Sequence, residues 1–128
     1  MQKPDYELTL KTIPMPADSN ASGDIFGGWI LSQMDLAGGA AAHDYVGGRV
    51  VTVGIEAMTF HKPVLIGDEV TFYTKIERVG RTSITVHIES WARRRYSREC
   101  EMVTEGLFTF VAIDKDRNPV VINKDKKP

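Results

Sequence analysis

The chain has 128 residues, 42% of them hydrophobic and 26% charged, with a formal net charge of −1 at neutral pH. That length predicts one domain over 1–128 with a sizeable core, and the balanced charge excludes the broad basic footprint of a non-specific nucleic-acid binder. The single Cys100 excludes an intramolecular disulfide, no apolar run is long and unbroken enough for a membrane anchor, and no secretory leader is evident, so a reducing cytoplasm is expected.

In chain order, "YELTLKTI" alternates and predicts a short strand with Leu8, Leu10 and Ile13 on one face, stopped by Pro14 and Pro16. "MPADSNASG" gathers loop formers. A helix is then expected from about Ile25 to Tyr45, ending at Gly47 and Gly48. Beyond it the period changes. "RVVTVGIEAMTFHKPV", "DEVTFYTKIERV", "SITVHIESWARR" and "VTEGLFTFVAID" are strand-like, joined by turns at "PVLIGD" and "VGRTSIT". In the third of these, Ile84, Val86, Ile88 and Ser90 alternate with Thr85, His87 and Glu89. The tail from about 117 to 128 is expected to be partly disordered.

One helix must therefore serve one mainly antiparallel sheet of about five strands, an α+β arrangement. With Ile30, Leu31, Met34, Leu36, Ala37, Ala40, Ala41 and Ala42, the helix is apolar nearly all round and asks for cover on most sides. A sheet curled around a central helix, the hotdog fold, answers that demand. A cone-shaped one-helix sheet of the cystatin or nuclear-transport-factor type is the alternative.

The chemistry centres on the helix. Gly27 and Gly28 lie near its start, where the first N–H groups lack intrahelical partners, the dipole is positive, and missing side chains let a carbonyl approach. Such an end stabilises an oxyanion; the plainer role is tight packing. Asp35 stands in the apolar run as a candidate base or nucleophile, because an under-solvated carboxylate is more basic; the alternative is an acid that merely faces solvent. Eight helical residues separate Gly27 from Asp35, roughly 12 Å, too far for both to act on one carbonyl within one chain. If both act, a two-fold dimer must bring Gly28 of one subunit to Asp35 of the other.

Asp24 is expected as the helix N-cap, with a second possible role beside Asp35 across the interface; Asn20 is a weaker candidate. His43, His61 and His87 lack metal-ligand spacing with one another, and neither a Cys-His cluster nor a Gly-x-Ser-x-Gly elbow is present, so no metal is expected. Lys62, the donor-rich turn Arg81-Thr82-Ser83, and the run Arg93, Arg94 and Arg95 are candidate phosphate holders, although a run of arginines can also be a solvated sheet edge.

"MPADSNASGDIFGGWILSQMDLAGGAAA", with "RVVTVGIEAMTFHKPVLIGDEV", "VGRTSI" and "FTFVAID", closely resembles the hotdog-fold acyl-CoA thioesterases of the YciA and cytosolic acyl-CoA hydrolase branch, over nearly the whole chain. Its most specific part is Gly-Asp-Ile-Phe-Gly-Gly-Trp followed by Met-Asp, eight residues beyond the first of the adjacent glycines. The resemblance implies that Asp35 matches the catalytic aspartate. It implies that Asp24 stands where relatives carry Asn or Asp facing the site from the other half of the dimer, and that the helix start polarises the thioester carbonyl. Lys62, Arg81, Thr82 and Ser83 fall where such enzymes hold coenzyme A, and Arg93 is kept with them. "ARRRYSRECEM" departs from the pattern.

Hydrolysis of acyl-CoA to free acid and coenzyme A is therefore expected, with no cofactor beyond the coenzyme A of the substrate. The partners implied are a small-molecule acyl-CoA and further copies of the chain, a dimer as the active unit within a hexamer, with neither nucleic acid nor membrane. Asp35 either activates water or attacks to form an anhydride. A non-catalytic acyl-CoA-binding module and an enoyl-thioester hydratase or dehydratase are the rival readings.

Overall fold

The computed structural model describes residues 5–123. Strand β1 (Glu7–Thr12) is followed by a short 3-10 turn (Pro16–Asp18), helix α1 (Gly27–Val46), and strands β2 (Arg49–Phe60), β3 (Glu69–Val79), β4 (Ser83–Arg93) and β5 (Cys100–Ile113). The strands form one sheet in the order β1-β3-β4-β5-β2, every neighbouring pair antiparallel. One helix on one antiparallel sheet of five strands is the hotdog arrangement that the sequence predicts.

The helix stops as expected. Gly47 takes the left-handed conformation (φ 76°) that a side chain resists, and its N–H donates to the His43 carbonyl at 2.8 Å. Its start differs from expectation. Phe26, not Asp24, is the N-cap, and it offers no side-chain cap. Asp24 is occupied upstream, where its backbone bridges Leu65 and its N–H donates to Asn20 Oδ1 at 3.1 Å.

On α1 the buried residues are Ile30, Met34, Ala37, Gly38 and Ala42, one stripe of helical period. Opposite them lie Ile84, Val86 and Ile88 of β4 and Phe108 and Phe110 of β5, with Ser90 also turned inward. Ile84, Val86, Ile88 and Ser90 thus share the core face as predicted, whereas Thr85 and Glu89 on the opposite face are buried as well. Contact is close at Gly38, where a Cβ would sit 2.6 Å from Ile88 Cδ1 and 3.0 Å from the Phe110 ring.

The helix is covered on fewer sides than its composition demands. Leu36 remains 63% exposed and Ala40 is exposed beside it. Edge strand β2 likewise leaves Val53 58% exposed, with Ile55 and Phe60. In β1 the register slips between Leu8 and Leu10, so that Leu10 packs against the core and Leu8 stays exposed; Ile13, just past the strand, is exposed as well.

Part of the tail is ordered. The Val120 N–H donates to the Ala112 carbonyl and the Ile122 N–H to the Arg81 carbonyl, each at 2.8 Å, and Ile122 is buried. The rest of the predicted disordered tail, 124–128, lies outside the described residues. No helix among those described is long and apolar enough to cross a membrane.

Of the arginine run, Arg94 has a structural role. It pairs with Asp68, donates to Glu101 Oε2 at 2.9 Å, and donates to the Pro63 carbonyl at 3.0 Å. Asp68 is 2% exposed and also accepts the Leu65 N–H, so Arg94 balances a charge that water cannot reach. Arg94→Ala should lower the unfolding free energy by about 3–5 kcal/mol, read from urea titration. A change below about 1 kcal/mol would mean that Asp68 is neutralised by other means.

Candidate active site

Two separate grooves hold the catalytic candidates. The larger, about 610 Å³, runs between the flank of α1 and the start of β2. Asp35 lies in it above a floor of Leu36, Gly39, Ala40, Val50 and Phe110, with Arg49, Arg117 and His43 also on its lining. Asp35 is half-buried, and its Oδ1 accepts a 2.6 Å hydrogen bond from the Thr52 hydroxyl on β2. A charged acceptor makes this bond strong, and it fixes the carboxylate's rotamer.

The smaller groove, about 320 Å³, lies at the start of the helix and is lined by Asn20, Asp24, Gly27, Ile30, Phe60, His61 and Lys62 among others. Gly27 and Gly28 are the first two residues of α1, where N–H groups point out of the helix. A Cβ on Gly28 would meet nothing within 4 Å, whereas one on Gly27 would touch the Phe60 ring at 3.4 Å. Asn20 Oδ1 accepts the N–H groups of Ser22 and Asp24 at 2.9 and 3.1 Å, which assigns its amide oxygen to shaping the loop.

The two grooves share no lining residue. Asp24, Gly27 and Lys62 thus come together in one, and Asp35 stands in the other. Arg81, Thr82 and Ser83 lie at the far end of β3 from Lys62, a strand length of roughly 33 Å away. The Arg81 and Thr82 carbonyls accept the N–H groups of Ile122 and Ala112. Arg93 is exposed, 3.7 Å from Glu69, in a small recess with Leu8, Lys11 and Cys100, apart from both grooves.

Thr52 is the site residue that sequence reading misses. It sits on a different element, 17 positions after Asp35, and only the packing of α1 beside edge strand β2 brings the two together. Arg49 and Arg117 are missed for the same reason. Their approach depends on pairing between β2 and β5, where Arg49 stands opposite Ile113.

Residues 22–97 match the family model of the Thioesterase superfamily. The acyl-CoA thioester hydrolase YciA of Salmonella typhimurium is 48% identical over 119 residues, covering 91% of this chain and 90% of the relative. That of Escherichia coli is 45% identical over 119 residues, with the same two coverages, 91% and 90%. Among solved structures, the hexameric thioesterase of Yersinia pestis matches with a TM-score of 0.91 at 45% identity, over 96% of this chain and all of that one (100%). A hexameric hotdog-fold thioesterase of Campylobacter jejuni matches with a TM-score of 0.91 at 42% identity, over 96% of this chain and 95% of its own.

Proposed function

The chain belongs to the Thioesterase superfamily, and from that premise we propose that it hydrolyses acyl-CoA to a free carboxylic acid and coenzyme A, at sites shared between two subunits. The observation that carries the shared site is the separation of Asp35 from Gly27, which begins the helix just before Gly28, in two grooves with no common residue. A two-fold dimer turns each subunit's glycine end toward the other's Asp35. Exposed Leu36, Ala40, Val53 and Ile55 provide apolar surface for that pairing, and the matched thioesterases of Yersinia pestis and Campylobacter jejuni are hexameric. A homo-oligomer, built as a hexamer of three dimers, is the assembly proposed.

In this reading the thioester carbonyl lies against the N–H groups of Gly27 and Gly28, which stabilise the oxyanion as the carbonyl is attacked. Asp35 comes from the partner. Thr52 holds Oδ1, and Oδ2 either takes a proton from water or attacks the carbonyl to give a mixed anhydride that water then cleaves. Along either route the C–S bond breaks and the thiolate leaves. Water supplies the oxygen of the new acid and the proton of the thiol.

Asp24, which lines the glycine-side groove, is assigned to orient the attacking water. Lys62 in the same groove is assigned to a coenzyme A phosphate, and the Arg81-Thr82-Ser83 turn, outside both grooves, is kept as a second candidate for holding coenzyme A. Arg93 is left out because it lies with Glu69 and Cys100. The reaction so written needs no cofactor, and one exposed thiol, Cys100, suits a reducing cytoplasm.

Release of free coenzyme A from short, medium and long acyl-CoAs tests the reading. Asp35→Asn should lower kcat by on the order of 100-fold or more with the oligomer intact. Undiminished turnover in that variant would remove Asp35 from the chemistry. Saturable binding without turnover by the native protein would instead identify a binding module, and hydration of an enoyl-CoA a hydratase.

Thr52→Val should lower kcat by roughly 10- to 100-fold, the loss of a hydrogen bond to a charged acceptor, with little change in KM. An effect on KM alone would make Thr52 a binding residue.

A further inference from the structure

The groove that holds Asp35 carries two cations that the proposed hydrolysis does not use. Arg49, the first residue of β2, and Arg117, in the turn after β5, line it together with the apolar Leu36, Ala40, Val50 and Phe110. Both arginines are exposed, and among the described residues no ion pair or side-chain hydrogen bond engages either guanidinium. Apolar surface with a few convergent polar groups is the ordinary lining of a small-molecule site.

The backbone holds Arg117 in place at some strain. The Arg117 N–H donates to the Asp114 carbonyl at 3.0 Å, the Asp114 N–H donates to the Asn118 carbonyl at 2.9 Å, and Ile113 bridges Pro119. Within this turn Arg117 has φ 69°, the left-handed position that tight turns usually give to glycine. An L side chain is costly there, so its presence on the groove asks for a use.

Asp114 does not use up the cations. Its Oδ1 accepts the N–H groups of Asp116 and Asn118, each at 2.9 Å. Its carboxyl is held below the ordinary value chiefly by the Asn118 N–H, against desolvation, then by Asp116 and the Asn118 side chain, and least by Arg49. The acid is thus satisfied mainly within its own turn, and the guanidinium forks face the groove unengaged.

We propose that the acyl chain lies along this apolar floor and that Arg49 and Arg117 bind a carboxylate at its far end, which makes thioesters of dicarboxylic acids the preferred substrates. The inference rests on the hydrolysis proposed above and names the substrate class of that site. Coenzyme A leaves the reacting carbonyl toward Lys62 in the glycine-side groove, so the acyl chain is the part of the substrate left to cover the Asp35 groove. Thr52, which holds Asp35, is three positions beyond Arg49, roughly 10 Å along the strand. Several methylenes therefore separate the bound carboxylate from the carbonyl under attack. A planar guanidinium matches a carboxylate with two parallel hydrogen bonds, and a second one offsets the repulsion from Asp35. The reaction itself is unchanged, with water entering the new carboxyl group and a free dicarboxylic acid as product.

The test follows release of coenzyme A from thioesters matched in chain length, adipyl- against hexanoyl-CoA and suberyl- against octanoyl-CoA. The native protein should favour the carboxylate-bearing member of at least one pair by about tenfold or more in kcat/KM. Arg49→Gln and, separately, Arg117→Gly should each lower that ratio by about tenfold, mainly through KM for the dicarboxylic thioester. Glycine at position 117 removes the cation and relieves the backbone together, so this variant should unfold at a temperature no lower than the native protein does. Turnover of hexanoyl- and octanoyl-CoA with no preference in either pair, or a preference that survives both substitutions, would overturn this inference and leave the hydrolysis standing. An equal rise in KM for both members of a pair would contradict it as well, by placing the arginines on coenzyme A. No release from any of the four would remove it together with the hydrolysis.

Discussion

Everything in the proposed site follows from how closely α1 rests on the sheet. Gly38 lets the helix backbone approach Ile88 and Phe110 so closely that a side chain there would have to displace them, and the stripe from Ile30 to Ala42 fixes the rotation about the helix axis. Three residues before Gly38, Asp35 is turned roughly 60° from that contact line, onto the flank beside β2. Thr52 is therefore within reach, and Leu36 and Ala40 point away from the sheet. A looser seat would free the helix to rotate and would separate the carboxylate from its hydrogen-bond donor.

The same constraint explains why, in the proposed mechanism, one chain is half an enzyme. The helix directs its N–H groups out of one end and carries its carboxylate two turns farther along, so a single reacting carbonyl cannot meet both. Pairing two chains about a two-fold axis resolves this and also covers apolar surface that the single sheet leaves open on α1 and β2. In the proposed dimer, pairing would exclude water from the shared site as it forms and strengthen the polar interactions left inside.

Much of this is legible in the sequence, because local chemistry decides it. The period change after Gly48 marks the passage from helix to strands, the alternation in Ile84–Ser90 identifies the core face of β4, and the Gly-Gly and Asp35 spacing points to two subunits. What escaped depends on non-local packing. Asp24 has the chemistry of an N-cap, yet its bridge to Leu65 holds it two residues too early. Thr52 has no local mark at all. The triple arginine reads as one patch, but the fold gives Arg93 to Glu69, Arg94 to buried Asp68, and Arg95 to the Tyr96 ring. Likewise, His87, Glu89 and Glu105 meet only because β4 and β5 pair in their particular register.

The central claim, that each active site takes its glycines from one subunit and its aspartate from the other, is tested most directly by complementation. Asp35→Asn and Gly28→Val chains would be mixed in equal amounts, dissociated and reassembled, and their acyl-CoA hydrolysis measured. A Cβ at position 28 meets nothing within 4 Å in the chain, and the valine side chain would occupy the space through which the carbonyl approaches. Random pairing makes half the dimers mixed, each with one intact site of two, so about a quarter of native activity should return. Activity no higher than that of the separate inactive variants, with mixed dimers verified by mass, would contradict the shared site.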